Sequence, residues 1–158
     1  MTALRFIFDD GGRAAAGYKG DAGDCVTRAI AIVTGLPYAE VYDELSRRQK
    51  AFGKGRSRSA KVARRKSSAR TGVFRQVYEP YLKELGYEWV PTMQIGSGCK
   101  VHLRDDELPG GRIIASVSKH LCAVVEGQIR DTHDPSRDGK RCVYGYYRKA
   151  EPADGSSH

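Results

Sequence analysis

Cysteine, histidine and aspartate are the side chains from which a thiol nucleophile is assembled, and this chain spaces one set of them for that purpose. Cys25 stands in "KGDAGDCVTRAIAIVTG", where Val26, Ala29, Ile30 and Val33 recur at helical spacing, so its thiol opens an apolar helix. A free thiol has a reference pKa of about 8.5 and is mostly protonated at neutral pH. A helix N-terminus and a neighbouring imidazolium both lower that value, and a third group must fix the imidazole's tautomer.

Four histidines could serve. His158 is the last residue, His102 falls in a loop-like stretch, and His120 and His133 flank the segment "HLCAVVEGQIRDT". That segment reads as a hairpin, two apolar runs around Glu126-Gly127, an acidic-glycine pair suited to a type I′ turn. Counting back from a two-residue turn pairs Val125 with Gln128, Cys122 with Asp131 and His120 with His133. Residues two apart share a face, so His120, Cys122, Asp131 and His133 are expected together. His120 and Asp131 are diagonal neighbours, within reach of an imidazole–carboxylate hydrogen bond.

Cys25, His120 and Asp131 are therefore the candidate nucleophile, base and orienting group, with Asp134 as the alternative third member. Cys122, His133 and Asp24 are expected beside the site, His133 as a packing ring. The competing reading of Cys25 is a small residue packed in a buried helix, and that of His120 a strand histidine bonded to backbone. "DPS" at 134–136 also makes a good turn, which weighs against Asp134. Asp24 is a natural N-cap. Its charge beside Cys25 opposes thiolate formation, so it is expected to turn into its capping bond.

The elements that must carry these residues follow from the same patterning. Gly35 is a natural stop for the first helix. "LPYAEVYDEL" starts a second, with Pro37 in its first turn and Val41, Tyr42 and Leu45 as its apolar stripe. "VFRQVYEPYLKELG" gives a third helix, with Pro80 as a kink or its true start. "YEWVPT" is a short strand, and 96–111 is mostly loop with a helical turn near 104–108. "GRIIASVS" (111–118) and "RCVYGYYR" (141–148) are further strands, and "LRFIF" is an edge strand or part of a flexible lead-in within 1–20. Helices precede an antiparallel sheet, which is α+β. A chain of 158 residues is expected to form one domain, spanning about 21–150, with a disordered tail at 151–158.

The net charge of +8 is concentrated in one segment. From Arg47 to Arg75 there are twelve Lys or Arg and no acidic residue, whereas the rest carries fifteen basic and nineteen acidic residues. The segment is expected to be an exposed basic loop at about 47–72, or an arm that contacts nucleic acid or an acidic partner. It lacks the interleaved aromatics that base stacking uses. No apolar run is long enough for a membrane span, and the N-terminus lacks a secretion signal, so a cytoplasmic protein is expected. In that compartment the four cysteines are expected as free thiols, ligands or a nucleophile rather than disulfides. Cys99-x-x-His102 has ligand spacing but no second pair, so neither a metal nor a cofactor is expected.

In the order and context of Cys25, His120 and Asp131, the chain resembles the papain-like cysteine peptidase fold over roughly 17–147. "DC" opening a helix with Ala29 four residues on is similar to the bacteriocin-processing peptidase domains of that fold. "DTH" at 131–133 resembles the papain-type Asn-Ser-Trp. "GDCVTRAIA", "GSGCKVHL" and "DTHDPSRDGKRCVYGYY" also resemble segments of small bacterial and phage proteins without an assigned activity. The resemblance implies helices packed on an antiparallel sheet and hydrolysis of a peptide or amide through an acyl-enzyme. Its oxyanion glutamine, about six residues before the cysteine, is Lys19 here, which becomes the oxyanion candidate. The same resemblance admits a catalytically silent binding module that uses the basic loop.

Overall fold

The computed structural model describes residues 4–18, 24–58, 60–61, 73–94 and 96–150. Lys19 and the central part of the basic segment, 62–72, lie outside the described residues, as do Ser59, Ile95 and the tail at 151–158. The described residues form three α-helices, α1 (Cys25–Thr34), α2 (Tyr38–Gly53) and α3 (Arg75–Glu84). They also form six strands: β1 (Arg5–Phe8), β2 (Tyr87–Pro91), β3 (Arg112–Val117), β4 (His120–Val125), β5 (Gln128–Asp131) and β6 (Gly145–Lys149). The fold class is α+β, with all six strands in one sheet of order β1-β5-β4-β3-β6-β2.

Helix α1 ends as its sequence dictates. Gly35 adopts φ 77°, a left-handed conformation that glycine enters without steric cost, and its N–H closes on the Ala31 carbonyl. One face of the sheet receives the helices, burying Ile30, Val41, Leu45 and Leu82 against Ile114, Leu121, Ala123 and Tyr147. Fully burying an aliphatic side chain of this size contributes about 1.5–3 kcal/mol. The alternate residues of the same strands, Ile113, Ala115, Val117, Cys122 and Val124, face a second cluster with Leu4, Leu103, Ile129 and Val143. Both faces of β3 and β4 are buried, which explains why these strands read as near-continuous apolar runs rather than alternating ones.

The hairpin register is the one the two-residue turn requires. Val125 pairs with Gln128, Val124 with Ile129 and Ala123 with Arg130, around Glu126 and Gly127 at φ 49° and 77°. The β4–β5 ladder ends there, before Cys122 and Asp131, so the end of the sheet opens at the position of His120 and Asp131.

Four expectations need correction. The sheet is mixed rather than antiparallel, because β1 runs parallel to β5, with Phe8 opposite Asp131. "LRFIF" is thus a true edge strand and not a lead-in. The Asp9 N–H extends this pairing to the Asp131 carbonyl at 2.9 Å and so holds the backbone of that residue. The basic segment is not a loop throughout, since 47–53 belong to α2, where Arg47 and Arg48 both pair with Glu44, and Arg48 also reaches Glu84 of α3 at 2.7 Å. Arginine and lysine are good helix formers, and these ion pairs give them partners on the helix surface.

The last strand begins at Gly145, not at Arg141. The stretch before it forms an isolated bridge between Cys142 and His102 and single backbone bonds, including Tyr144 N–H to the Ser116 carbonyl at 2.8 Å, rather than a continuous strand ladder. Finally, Cys99 and Cys142, 43 residues apart, are joined as a disulfide with Cα atoms 5.9 Å apart, against the expectation of free thiols. The bond holds the 99–108 loop against the stretch that leads into β6, where Val143 N–H also reaches the Val101 carbonyl at 2.8 Å. Cys25 and Cys122 are the free cysteines among the described residues.

Candidate active site

Cys25, His120 and Asp131 meet where the N-terminus of α1 crosses the open end of the sheet. Three elements position them. The helix start presents Cys25, the first residue of β4 presents His120, and the last residue of β5 presents Asp131. The Cys25 thiol shares the cleft lining with His120 and Leu121, close enough for the His120 imidazole and the Leu121 backbone to act on its ionisation. His120 Nε2 lies 2.6 Å from Asp131 Oδ2, which leaves Nδ1 as the nitrogen available to the thiol. Asp131 is held in turn by the Thr132 N–H at 2.7 Å and by Arg28 Nη2 at 3.3 Å, both on Oδ1.

The electrostatics favour a charged pair. Burial pushes the Cys25 thiol up, but the His120 hydrogen bond and charge, the Leu121 backbone and Arg28 outweigh it, so the net shift is downward. Burial alone would lower His120. Asp131 and Cys25 override it and raise the imidazole to about 9. Burial raises Asp131, and its bonds to His120 and Thr132 with the Arg28 charge bring it below its ordinary value. These shifts all favour the thiolate–imidazolium form of the pair beside the Asp131 carboxylate, and the helix N-terminus adds its positive end beside the thiol.

Arg28 is the residue that sequence reasoning missed. It is 7% exposed, faces inward from α1, and bridges Asp131 to Asp24. Asp24 is the N-cap residue, as expected, but its side chain makes no capping bond, contrary to expectation. Its carboxylate, 1% exposed, is drawn instead to Arg28, to the Tyr38 hydroxyl and to Arg13 Nε at 3.1 Å. A buried charge demands charged partners, and two guanidiniums outbid a capping bond. The feared repulsion between Asp24 and the Cys25 thiolate is offset by the same two cations. A legible signal existed: Asp24 and Arg28 are four residues apart, and an arginine interrupts an otherwise apolar helix face.

Among the remaining expected residues, His133 is exposed and lies with its ring centroid 5.1 Å from that of His120, as the register required. Cys122 is fully buried in the second apolar cluster and does not line the cleft, and burial pushes its thiol well above the ordinary value, the opposite of an activated thiol. Asp134 accepts from the Ser136 N–H at 2.9 Å, the turn role its "DPS" context favours, and not from His120. Ligand atoms of His120, Asp131 and His133 lie within 4.8 Å of one another, so this corner could also accept a metal ion.

The thiol and imidazole open onto a cleft of about 610 Å³, bounded by Val73 and Tyr78 from the α3 side, by Val117 and Lys119 from the β3–β4 turn, and by Thr132 and His133. It is large enough for a short peptide segment. No helix among the described residues is long and apolar enough to cross a membrane. The chain matches no family model, and comparison with curated proteins and with solved structures finds no match.

Proposed function

We propose that this protein is a thiol-dependent acyl hydrolase of papain-like architecture that cleaves a peptide or amide through a Cys25–His120–Asp131 triad. The observation that carries the reading is the convergence of Cys25 and His120 on one cleft, with the His120 ring 2.6 Å from the Asp131 carboxylate, the thiol lowered and the imidazole raised. The order of elements, with a thiol at a helix start, an imidazole at a strand start and a carboxylate on the next strand, agrees with that architecture.

In the first half-reaction the Cys25 thiolate attacks the carbonyl carbon, a C–S bond forms, and the carbonyl π pair moves onto oxygen. As that pair returns, the C–N bond breaks and the amine departs with the proton from the His120 imidazolium. In the second, neutral His120 takes a proton from water, the resulting hydroxide attacks the thioester, and the thiolate leaves as the carboxylic product forms. Asp131 keeps the ring oriented and stabilises its charge. The first N–H groups of α1 lack intrahelical partners, and Asp24 is drawn away from capping them. The Cys25 N–H is thus available to an oxyanion, beside whatever Lys19 contributes.

Acyl transfer is tested by offering activated acyl donors, such as peptide thioesters and p-nitrophenyl esters, and quenching in acid. The expected result is one acyl adduct on the intact protein, mapped to Cys25 and absent from Cys25→Ala. An adduct that survives in Cys25→Ala, or none with any donor, contradicts the reading.

A further inference from the structure

We infer that the cleft recognises a carboxylate of an acidic peptide, held by Lys119 and Arg75 next to the reacting acyl group. The inference deepens the reading of Cys25 as nucleophile and rests on it. Its first support is the charge of the walls. None of the described residues that line the cleft is acidic, while Arg75, Lys119 and the His120 imidazolium bring positive charge to it.

Lys119 is the second support. It occupies the two-residue turn between Val117 and His120, which pair across β3 and β4. Its φ is 58°, in the left-handed region that favours glycine. A lysine there accepts backbone strain that glycine would avoid, and such strain concentrates at binding and catalytic positions. The side chain is exposed, and no carboxylate among the described residues pairs with it.

Arg75 is the third. Its guanidinium stacks over the Trp89 ring at 4.3 Å, and its Nε and Nη2 both lie on Glu79 Oε2, at 3.1 and 2.9 Å. The Glu79 carboxylate also accepts from the Tyr147 hydroxyl at 2.9 Å. Arg75 is therefore fixed in orientation at the cleft wall, with Nη1 left for a ligand, and little side-chain entropy remains to be lost on binding. Because Glu79 already offsets part of its charge, the pair supplies roughly one net positive charge beyond the imidazolium. That suits a carboxylate better than a phosphate dianion. Apolar Val73, Val117 and Leu121 beside it suit the flanking residues of a peptide.

The test compares iodoacetate with iodoacetamide at Cys25, the two differing in one carboxylate, and refers the rate ratio to that of Cys25 in the unfolded chain. The ratio reads carboxylate recognition, whereas the iodoacetamide rate alone reads nucleophile activation, so the two ideas fail separately. We expect the folded ratio to exceed the unfolded one by about tenfold, roughly the attraction of one partly screened charge. Lys119→Gly, which the left-handed backbone accepts, and Arg75→Gln should each lower the ratio at least threefold. Lys50→Gln, on α2 and outside the cleft, should leave it unchanged. Chloromethyl ketones of one short peptide carrying Asp or Asn next to the warhead extend the comparison to peptides, and the Asp form should label Cys25 about tenfold faster. A folded ratio at the unfolded value overturns the inference. So does a ratio indifferent to Lys119→Gly and Arg75→Gln, which would assign the preference to His120 alone, and so does a faster iodoacetate reaction without preference for the Asp peptide.

Discussion

Replacing His120 with alanine is expected to slow alkylation of Cys25 at pH 6–7 by between about ten- and a hundredfold, and to cut any hydrolytic turnover by about a thousandfold or more. The two magnitudes differ because they measure different losses. Alkylation needs only the thiolate, and His120→Ala removes the hydrogen bond and charge that outweigh the burial of Cys25. The thiol then returns toward, or above, its ordinary value, and the thiolate fraction at neutral pH falls to a few per cent or less. Part of that loss is returned, because a thiolate of higher pKa is intrinsically more nucleophilic. Turnover also loses the proton donor to the leaving group and the base for deacylation, with no compensation. Iodoacetamide kinetics at single-site resolution separate the two. Asp131→Asn keeps an oxygen beside His120 but not its charge, so the descending limb of the pH–rate profile should shift down from about 9. Below the lowered pKa of Cys25 the thiol is protonated and inert, and above about 9 the imidazolium is lost, so any turnover is expected to be bell-shaped in pH.

The second large effect is on stability. Asp24→Ala should destabilise the fold by about 3–5 kcal/mol, the range found when one partner of a buried ion pair is removed. The carboxylate is shared by Arg28, Arg13 and Tyr38, and its loss leaves the buried Arg28 with Asp131 as its remaining carboxylate partner at 3.3 Å. For a domain of this size, that corresponds to a fall in Tm of about 10 °C. Asp24→Asn retains an acceptor for Tyr38 and should cost less. Urea denaturation of both variants measures the difference, and a change below about 1 kcal/mol for Asp24→Ala would mean that the network carries little of the fold. Because Arg28 touches Asp131 as well, the same substitution should perturb the site, whereas a remote core substitution of equal cost should not.

The parts of the site that were legible in the sequence were those set by short-range periodicity. A two-residue turn fixes the register, and a side-chain period of two then places His120 and Asp131 together without long-range information. The helix start at Cys25 and its stop at Gly35 were legible for the same local reason. Arg28 was only half legible: Asp24, four residues before it, is a local partner, but its role at the site comes from Asp131, 103 residues away. The parallel pairing of β1 with β5 and the Cys99–Cys142 bond depend on where distant segments meet in space, which composition does not encode. Lys119 was hidden differently. Sequence rules assign left-handed turn positions to glycine or asparagine, and a lysine there gives no signal. In the basic segment the bias toward Lys and Arg drew attention to charge, while helix propensity and Glu44 carried 47–53 into α2.

Whether Cys25 is poised as a thiolate decides the function, and one titration addresses it most directly: the rate of Cys25 alkylation by iodoacetamide from pH 5 to 10, in folded and in unfolded protein, with the labelled residue mapped by mass spectrometry. The thiolate–imidazolium pair predicts a Cys25 rate at pH 6 at least about tenfold above that of the unfolded chain, with a midpoint well below the ordinary thiol value, while buried Cys122 stays unlabelled. A Cys25 that titrates at the ordinary value, and reacts no faster folded than unfolded, would contradict it.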